Sequence, residues 1–410
     1  MDKKIIAVAI VAVVVIAAAV VMFVPKGDKD DQLSIVGRVN TDGSGIFVKE
    51  GVDASALVTV VDEKPTSGAY LGGNGTWVVF NKEAWGGMVF GDPGAATIQH
   101  VQLNTIADTM GLKFVQYTNG TKTASDTLYF IPGVASYASF KSTLATTPAM
   151  QGAIFWEPQY SVALIDGCSS VATTNQMFPG HTCCVVAADH SYIANNSDET
   201  VRFLAAYVES VNKMTAAISD KSSPEYAEVI RVAKDKVALP NELTNEQKEQ
   251  AIVDAFGLVV YKYADSTDKN VADPLADLKK DIASLAQDLY AGNLIKNSYK
   301  DLGFDSVDAL AEKFVQSQYI KDAMSYEKAS SYDSTVEIKV AVIGGDIHQL
   351  AIHYGIDQKI FESYGVSVEL SSQLNGPAVY TAIHNGDCQF GFIGAPPMTI
   401  NTMNAKEITA

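Results

Sequence analysis

The run VEIKVAVIGGDIHQLAIHYGIDQKIFESYGVSVELSSQLNGPAVYTAIHNGDCQFGFIGAPP, residues 336–397, decides the fold class. It reads as strand, helix, strand, helix, strand. Residues 338–343 form an apolar run that stops at Gly344-Gly345. Asp346 is placed to cap a helix whose Ile347, Leu350, Ala351 and Tyr354 share one face at a 3.6-residue period. Residues 366–370 alternate as a strand does. Gly376-Pro377 opens a second helix, with proline where its missing N–H costs nothing. Asn385-Gly386 ends that helix before the strand residues Phe390, Phe392 and Ile393. Two successive βαβ units predict an α/β protein with a parallel sheet, whose ligands bind beyond the carboxyl ends of its strands. Such a run ordinarily opens a domain; here it comes last.

Upstream, KASSYDST (328–335) is a polar linker. Before it, Val201, Leu204, Ala205, Val208 and Val211 form one helical stripe, and Leu275, Leu278, Ile282, Leu285 and Leu289 another, stopped by Gly292-Asn293. Both read as core-facing. Residues 33–39 read as a strand, Asp42-Gly43-Ser44-Gly45 as a turn and 46–48 as a further strand. Residues 62–87, rich in glycine, threonine and tryptophan, read as a hairpin or loop insertion. A strand at 88–90, a helix packed by Leu103, Ile106, Ala107 and Met110, and a strand at 114–117 make another βαβ unit and a second parallel sheet. The strand 152–155 delivers Trp156-Glu157-Pro158 to its carboxyl end, and Phe178-Pro179-Gly180-His181 leads into the strand 182–187.

At the other end of the chain, residues 5–24 are an unbroken apolar run behind two lysines. About 20 such residues span a ~30 Å hydrocarbon core. The preceding lysines and following aspartates put the first four residues in the cytoplasm and the remainder outside. The expected organisation is a cytoplasmic stub (1–4), a transmembrane anchor (5–24), a linker (25–31) and an extracytoplasmic, membrane-anchored domain (32–410). A cleaved secretory signal is the alternative. A net charge of −17 argues against nucleic acid as a partner. Asn74-Gly75-Thr76, Asn119-Gly120-Thr121 and Asn195-Asn196-Ser197 are glycosylation sequons that weigh weakly for a cell-surface location. Four cysteines are too few for a disulfide-stapled fold. Cys183 and Cys184 are adjacent in a strand, so their side chains are expected on opposite faces as small buried hydrophobes. A bridge from Cys168 to either stays open. No Cys/His spacing suggests a structural zinc site, and His348 and His353, about 140° apart on a helix, do not pair for a metal.

Six segments taken together resemble a known family: KVAVIGGDIHQLAIHYGI, SQLNGPAVYTAIHNGDCQFGFIGAPP, IVGRVNTDGSGIFV, GDPGAATIQHVQL, AIFWEPQ and FPGHTCCVV. They look like the extracytoplasmic solute-binding proteins of ABC importers in the nitrate/sulfonate/bicarbonate group, related to thiamine-pyrimidine-precursor binding proteins. The helical part, including LKKDIASLAQDLYAGNLIKNSYKDLGFDSVDALAEKFV, resembles them too, so the likeness covers most of residues 32–410. No single segment is specific. Their order departs from the family's, in which the KVAVIGG strand comes first and the run ending in GAPP leads into IVGRVN. Joining Ala410 to Gln32 would restore it, which predicts a circular permutation; a truncated tandem repeat is the alternative.

The resemblance implies a two-lobed, type II periplasmic-binding-protein-like fold with a ligand cleft, lobe two at about 46–180 and lobe one at about 182–410 plus the strand 33–39. The hinges are expected near 40–45 and 180–182. The cleft is then expected to be lined by Gly344, Gly345, Asp346 and Ile347, by Asn375, Gly376 and Pro377, and by Gly394, Ala395 and Pro396. Lobe two and the crossings would add Pro93, Gly94, Ala95, Ala96, Thr97, Trp156, Glu157, Asn40, Thr41 and His181. Helix N-termini converging on one space favour an anionic solute, whereas inward-facing Asp42, Glu157 or Asp346 would favour a neutral or cationic one. Arg38 is readable as a ligand counter-ion or as half of a salt bridge. The implied partners are a small-molecule ligand and the permease and ATPase subunits of an ABC transporter, with no cofactor, no metal and no catalytic residue. No Walker loop, HExxH or Gly-x-Ser-x-Gly elbow is present. The pyrimidine-precursor synthases share the fold but need pyridoxal phosphate and a cysteine-rich motif, of which Cys183-Cys184 is a thin echo. A ligand-free surface scaffold is the remaining alternative.

Overall fold

Strands β1 (Leu33–Asp42) and β11 (Thr182–Asp189) pair antiparallel and are buried along almost their whole length. They are interior strands of a six-stranded sheet in the computed structural model, which describes residues 32–410. The predicted anchor (5–24), its stub and its linker lie outside the described residues. Among the described residues no helix is long and apolar enough to cross a membrane.

With β12 (Val259–Tyr261), β13 (Val336–Ile343), β14 (Val366–Gln373) and β15 (Phe390–Gly394), the first sheet has the order β12-β1-β11-β15-β13-β14. The run 336–397 supplies its parallel part: β13 pairs parallel with β14 and with β15. The predicted parallel pairing of that run is present, and the other strands join it antiparallel, so the sheet as a whole is mixed. The cause is connectivity. β1 leaves for the second sheet and β11 returns from it at the same end of the first, so the two must run in opposite directions.

The second sheet has the order β10-β2-β9-β6-β8-β7, built from β2 (Ser44–Val48), β6 (Val89–Asp92), β7 (Lys113–Gln116), β8 (Thr127–Pro132), β9 (Gly152–Trp156) and β10 (Ser169–Thr173). Here β9, β6, β8 and β7 are parallel, while β2 and β10 are antiparallel additions. The glycine-rich insertion is a small antiparallel sheet in which β5 (Thr76–Phe80) lies between β3 (Val58–Val61) and β4 (Ala69–Gly73).

The first sheet's core is closed by the helix Ser197–Ser219, whose Phe203 stacks on Phe390 at 4.5 Å between ring centroids and whose Tyr207 meets Phe392 edge-on at 5.1 Å. On the second sheet, Trp85 stacks on Phe90 at 5.0 Å on one face. Phe47, Phe140 and Phe155 pack together on the other. The helix Asn245–Phe256, expected with the first sheet, does pack there through Ile252 and Ala255, and it also packs on the helix Gln159–Ile165 of the second, with Ala251 fully buried among Phe47 and Tyr160.

Two chain crossings join the sheets, and they are bonded to each other. The Asp42 N–H donates to the His181 carbonyl at 3.1 Å, and the Asp42 carboxylate accepts from the Gly180 N–H at 3.0 Å. Between β1 and β2 stands Gly43, with φ +88°, where a Cβ would come within 2.7 Å of His348 Nε2 and 2.8 Å of Val259. Position 43 therefore admits only glycine. Arg38, fully buried in β1, is held by Asp265, Asp281 and Thr182, so of its two readings the structure shows the salt bridge.

The two ends of the described chain meet. Gln32 Nε2 donates to Thr409 Oγ1 at 3.4 Å, the Gln32 carbonyl accepts from His190 N–H, and the Ala410 N–H donates to the Leu302 carbonyl. Closing residue 410 onto 32 with a short glycine-serine linker, and opening the chain between the exposed Ser330 and Ser331, should leave the fold intact. Circular dichroism and a thermal melt of that rearranged chain should match those of the original; an unfolded or insoluble product would contradict the arrangement.

Candidate ligand-binding site

The carboxyl ends of the parallel strands of both sheets open onto one cavity of about 670 Å³. From the first sheet come the turn after β13 (Gly344, Gly345, Asp346), the helix start Asn375-Gly376-Pro377, and Gly394 with Pro396 after β15. From the second come Pro93, Gly94, Ala95, Ala96 and Thr97 after β6, and Trp156 after β9. These predicted residues are brought together by the strand-to-helix turns that the βαβ pattern specifies. Six others stand outside the wall. Ile347 faces the core, and Ala395 is buried in the first turn of its helix. Asn40 and Thr41 lie inside β1, with the Asn40 amide turned onto the Thr41 and Asp42 carbonyls. His181 bonds to the Phe178 carbonyl at 3.0 Å. Glu157 is fully buried, accepting from the Ser161 N–H at 3.1 Å and the Ser161 hydroxyl at 2.8 Å.

Helix starts dominate the wall. Thr97, Ser136 and Asn375 each cap a helix with the side-chain oxygen, while Gly394 supplies no side-chain cap to the helix Ala395–Ala405. The loop 93–97 is fixed by Asp92, which accepts from the Gly94 N–H and from His100, both at 2.8 Å. Among the described residues of the wall there is no lysine or arginine. Leu374, at the wall beside Asn375, is 87% exposed.

Sequence reasoning passed over several wall residues, chiefly His348, Cys183, Cys184, Gln99, Ser136 and Leu374. His348 had a signal, its place two residues after the capping Asp346. Its Nδ1 lies 2.8 Å from the Asp346 carboxylate and its Nε2 3.2 Å from the Gly43 carbonyl. Burial pushes the imidazole pKa down, but the charges of Asp346 and Cys183, with hydrogen bonds to Asp346 and the Gly43 carbonyl, outweigh it and raise it to about 9. An imidazolium suits the site because both ring nitrogens then donate, each to an acceptor. Burial pushes Glu157 up to about 7, against the two Ser161 hydrogen bonds and the His348 charge.

The cysteine pair departs from expectation. In the pairing of β1 with β11, Asn40 faces Cys184 and Thr41 faces Thr182, so Cys183 is the extra residue of a bulge. A bulge turns two successive side chains toward one side. Both cysteines therefore line the cavity, with their sulfurs 3.7 Å apart, and all four cysteines of the chain are free. A hydrogen bond from Cys184, then the charges of His348 and His181, pull the Cys183 thiol down against burial; burial and its neighbour push Cys184 up. Among the described residues no group of three or more His, Cys, Asp or Glu is placed to hold a metal ion.

Set against known proteins, the chain matches no family model, no curated protein and no solved structure.

His348 makes stability depend on pH with a defined sign. Its folded pKa of about 9 lies above the ordinary 6.5, so its contribution is complete below 6.5 and lost as pH rises through about 9. At 1.36 kcal/mol per pKa unit that contribution is roughly 3 kcal/mol. Glu157, raised from 4.5 to about 7, destabilises as pH rises through that lower window. Cys183, drawn from 9 down to about 6, contributes with the opposite sign over nearly the same window, so the variant Cys183→Ser isolates His348, and chemical denaturation should show its stability falling across pH 6.5–9. Adding His348→Gln to Cys183→Ser should lower stability at pH 6.5 and leave it nearly flat above that; an equal slope in the two variants would refute the assignment.

Proposed function

We propose that this protein captures a small polar solute between two lobes, each built on one of the six-stranded sheets, and releases it unchanged. The observation that carries this reading is the cavity where strand ends and helix starts of both sheets converge, flanked by two crossings bonded to each other. Such crossings are where a hinge would bend, since few residues need to change φ and ψ. The meeting of Gln32 with Thr409 supports a circularly permuted, type II periplasmic-binding-protein-like fold. Delivery to an ABC permease with its ATPase, extracytoplasmic placement and anchoring through residues 5–24 rest on the sequence resemblance and apolar run alone.

The geometry bears on the solute. A volume of about 670 Å³ belongs to the range of sites for organic molecules of several tens of atoms. It far exceeds what nitrate or bicarbonate fills. The helix starts favour an acceptor group such as a carboxylate or sulfonate; the described wall has no lysine or arginine and its one imidazolium, His348, is already paired with Asp346, so no fixed cation is left to neutralise a second negative charge. The solute is therefore a singly charged or zwitterionic organic acid, with Trp156 and Leu374 against its apolar part. Asp346 does not offer a free carboxylate, because His348 holds it.

A thermal-shift screen against carboxylic acids, sulfonates, amino acids, pyrimidines, nitrate and bicarbonate tests the reading. A ligand at 100 times its Kd stabilises by about 2.7 kcal/mol. At least one organic acid should raise the Tm, and nitrate and bicarbonate should not. No shift with any compound would favour a scaffold, and consumption of a compound would favour an enzyme. For the ligand found, Trp156→Ala should weaken binding by one to two orders of magnitude, each order being about 1.4 kcal/mol. Gly344→Ala tests backbone approach without strain, since its Cβ would meet no atom nearer than 3.7 Å. Calorimetric titration should show weaker binding with an unchanged melt in buffer; unaltered affinity in both variants would place the ligand elsewhere.

A further inference from the structure

We propose that Cys183 and Cys184 form a dithiol site in the cavity wall that chelates trivalent arsenic presented as arsenite. The bulge in β11 is the structural cause. In a regular strand successive side chains point to opposite faces and two adjacent thiols never meet. Here the extra residue turns both toward the cavity and sets the sulfurs 3.7 Å apart.

That spacing selects among thiophilic centres. With bonds of about 2.3 Å, a linear sulfur–cation–sulfur unit spans about 4.6 Å, too long for this pair. A single atom bonded to both sulfurs at 3.7 Å must sit at a bent angle, as in a pyramidal trivalent centre. A tetrahedral zinc ion would need further protein ligands, and among the described residues no third His, Cys, Asp or Glu completes such a group. Both nitrogens of His348 are committed to Asp346 and Gly43. Arsenite needs only the two sulfurs and keeps its third position for hydroxyl, facing open cavity.

The step balances without an oxidant. Each thiol gives its proton to an arsenic-bound hydroxyl, which leaves as water. Two As–S bonds form, two As–O bonds break, and one As–OH remains, with no change in oxidation state. Cys183 is the first nucleophile, because the hydrogen bond from Cys184 and then the charges of His348 and His181 favour its thiolate; the proton it has released to solvent is returned from solvent to the hydroxyl it displaces, so the overall balance is unchanged. Ring closure by Cys184 is then intramolecular, which is the source of the affinity.

The test uses the full-length protein, reduced and kept under nitrogen, titrated with sodium arsenite. One equivalent should bind, and peptide mapping after alkylation should show Cys183 and Cys184 protected while Cys168 and Cys388 react as before. Cys183→Ser and Cys184→Ser should each weaken binding at least 100-fold, and Cys168→Ser should not. Both cysteines are buried, so melts accompany each variant, and the mapping of the wild-type protein stands even where a variant fails to fold. Arsenite binding that persists in Cys183→Ser, equal protection of Cys168, or no binding by the reduced protein would overturn the proposal. So would conversion of the pair to a disulfide in the nitrogen-kept sample, since no dithiol would then be present.

Discussion

The Gly43 carbonyl is the point on which the arrangement of the two sheets turns. It accepts the Glu157 N–H at 2.9 Å from the second sheet and the His348 ring at 3.2 Å from the first. Both bonds reach it only because residue 43 has no side chain and takes a positive φ. The crossing is thus clamped from both sides, and the clamp on the first side is charged. A protonated His348 between Asp346 and Gly43 is a buried ion pair with its remaining proton satisfied, the condition under which such a pair is not a liability. The cavity wall, the crossing and the proton equilibrium share one place, because Asp346 and His348 line the cavity and His348 is bonded to the crossing residue Gly43.

A second buried charge secures the strand that feeds the crossing. Arg38 in β1 is bound to Asp265, Asp281 and Thr182, and Thr182 begins β11. The two strands that cross between the sheets are therefore tied just before they leave the first one. The helix Asn245–Phe256 adds a third tie, carrying Ala251 into the core beside Phe47. The imidazolium clamp at Gly43 and the apolar contact of Ala251 link the two sheets, while the Arg38 ion pairs hold the first sheet together beside the crossing.

Much of this was legible in the sequence because it is local. Apolar runs, Gly-Gly and Asn-Gly stops, and proline at a helix start gave β13, β14, β15 and the helices between them, and with them the wall residues at 344–346, 375–377 and 394. The same logic gave Pro93 to Thr97 and Trp156. What was not legible is non-local. The bulge that brings Cys183 and Cys184 together exists only in the pairing of β11 with β1, some 140 residues apart in sequence. The inward turn of Glu157 depends on Ser161 and on Gly43, and the packing of Asn245–Phe256 depends on a partner helix in the other sheet. His348 lay two residues from the recognised Asp346 cap, but its second partner is 305 residues away.

The most direct measurement is native mass spectrometry of the protein after incubation with a mixture of small organic acids. The account predicts one 1:1 adduct that is released with its mass unchanged on denaturation and is diminished in the Trp156→Ala variant. Absence of any adduct, an adduct indifferent to Trp156, or release of a compound of altered mass would contradict capture of an intact solute in this cavity.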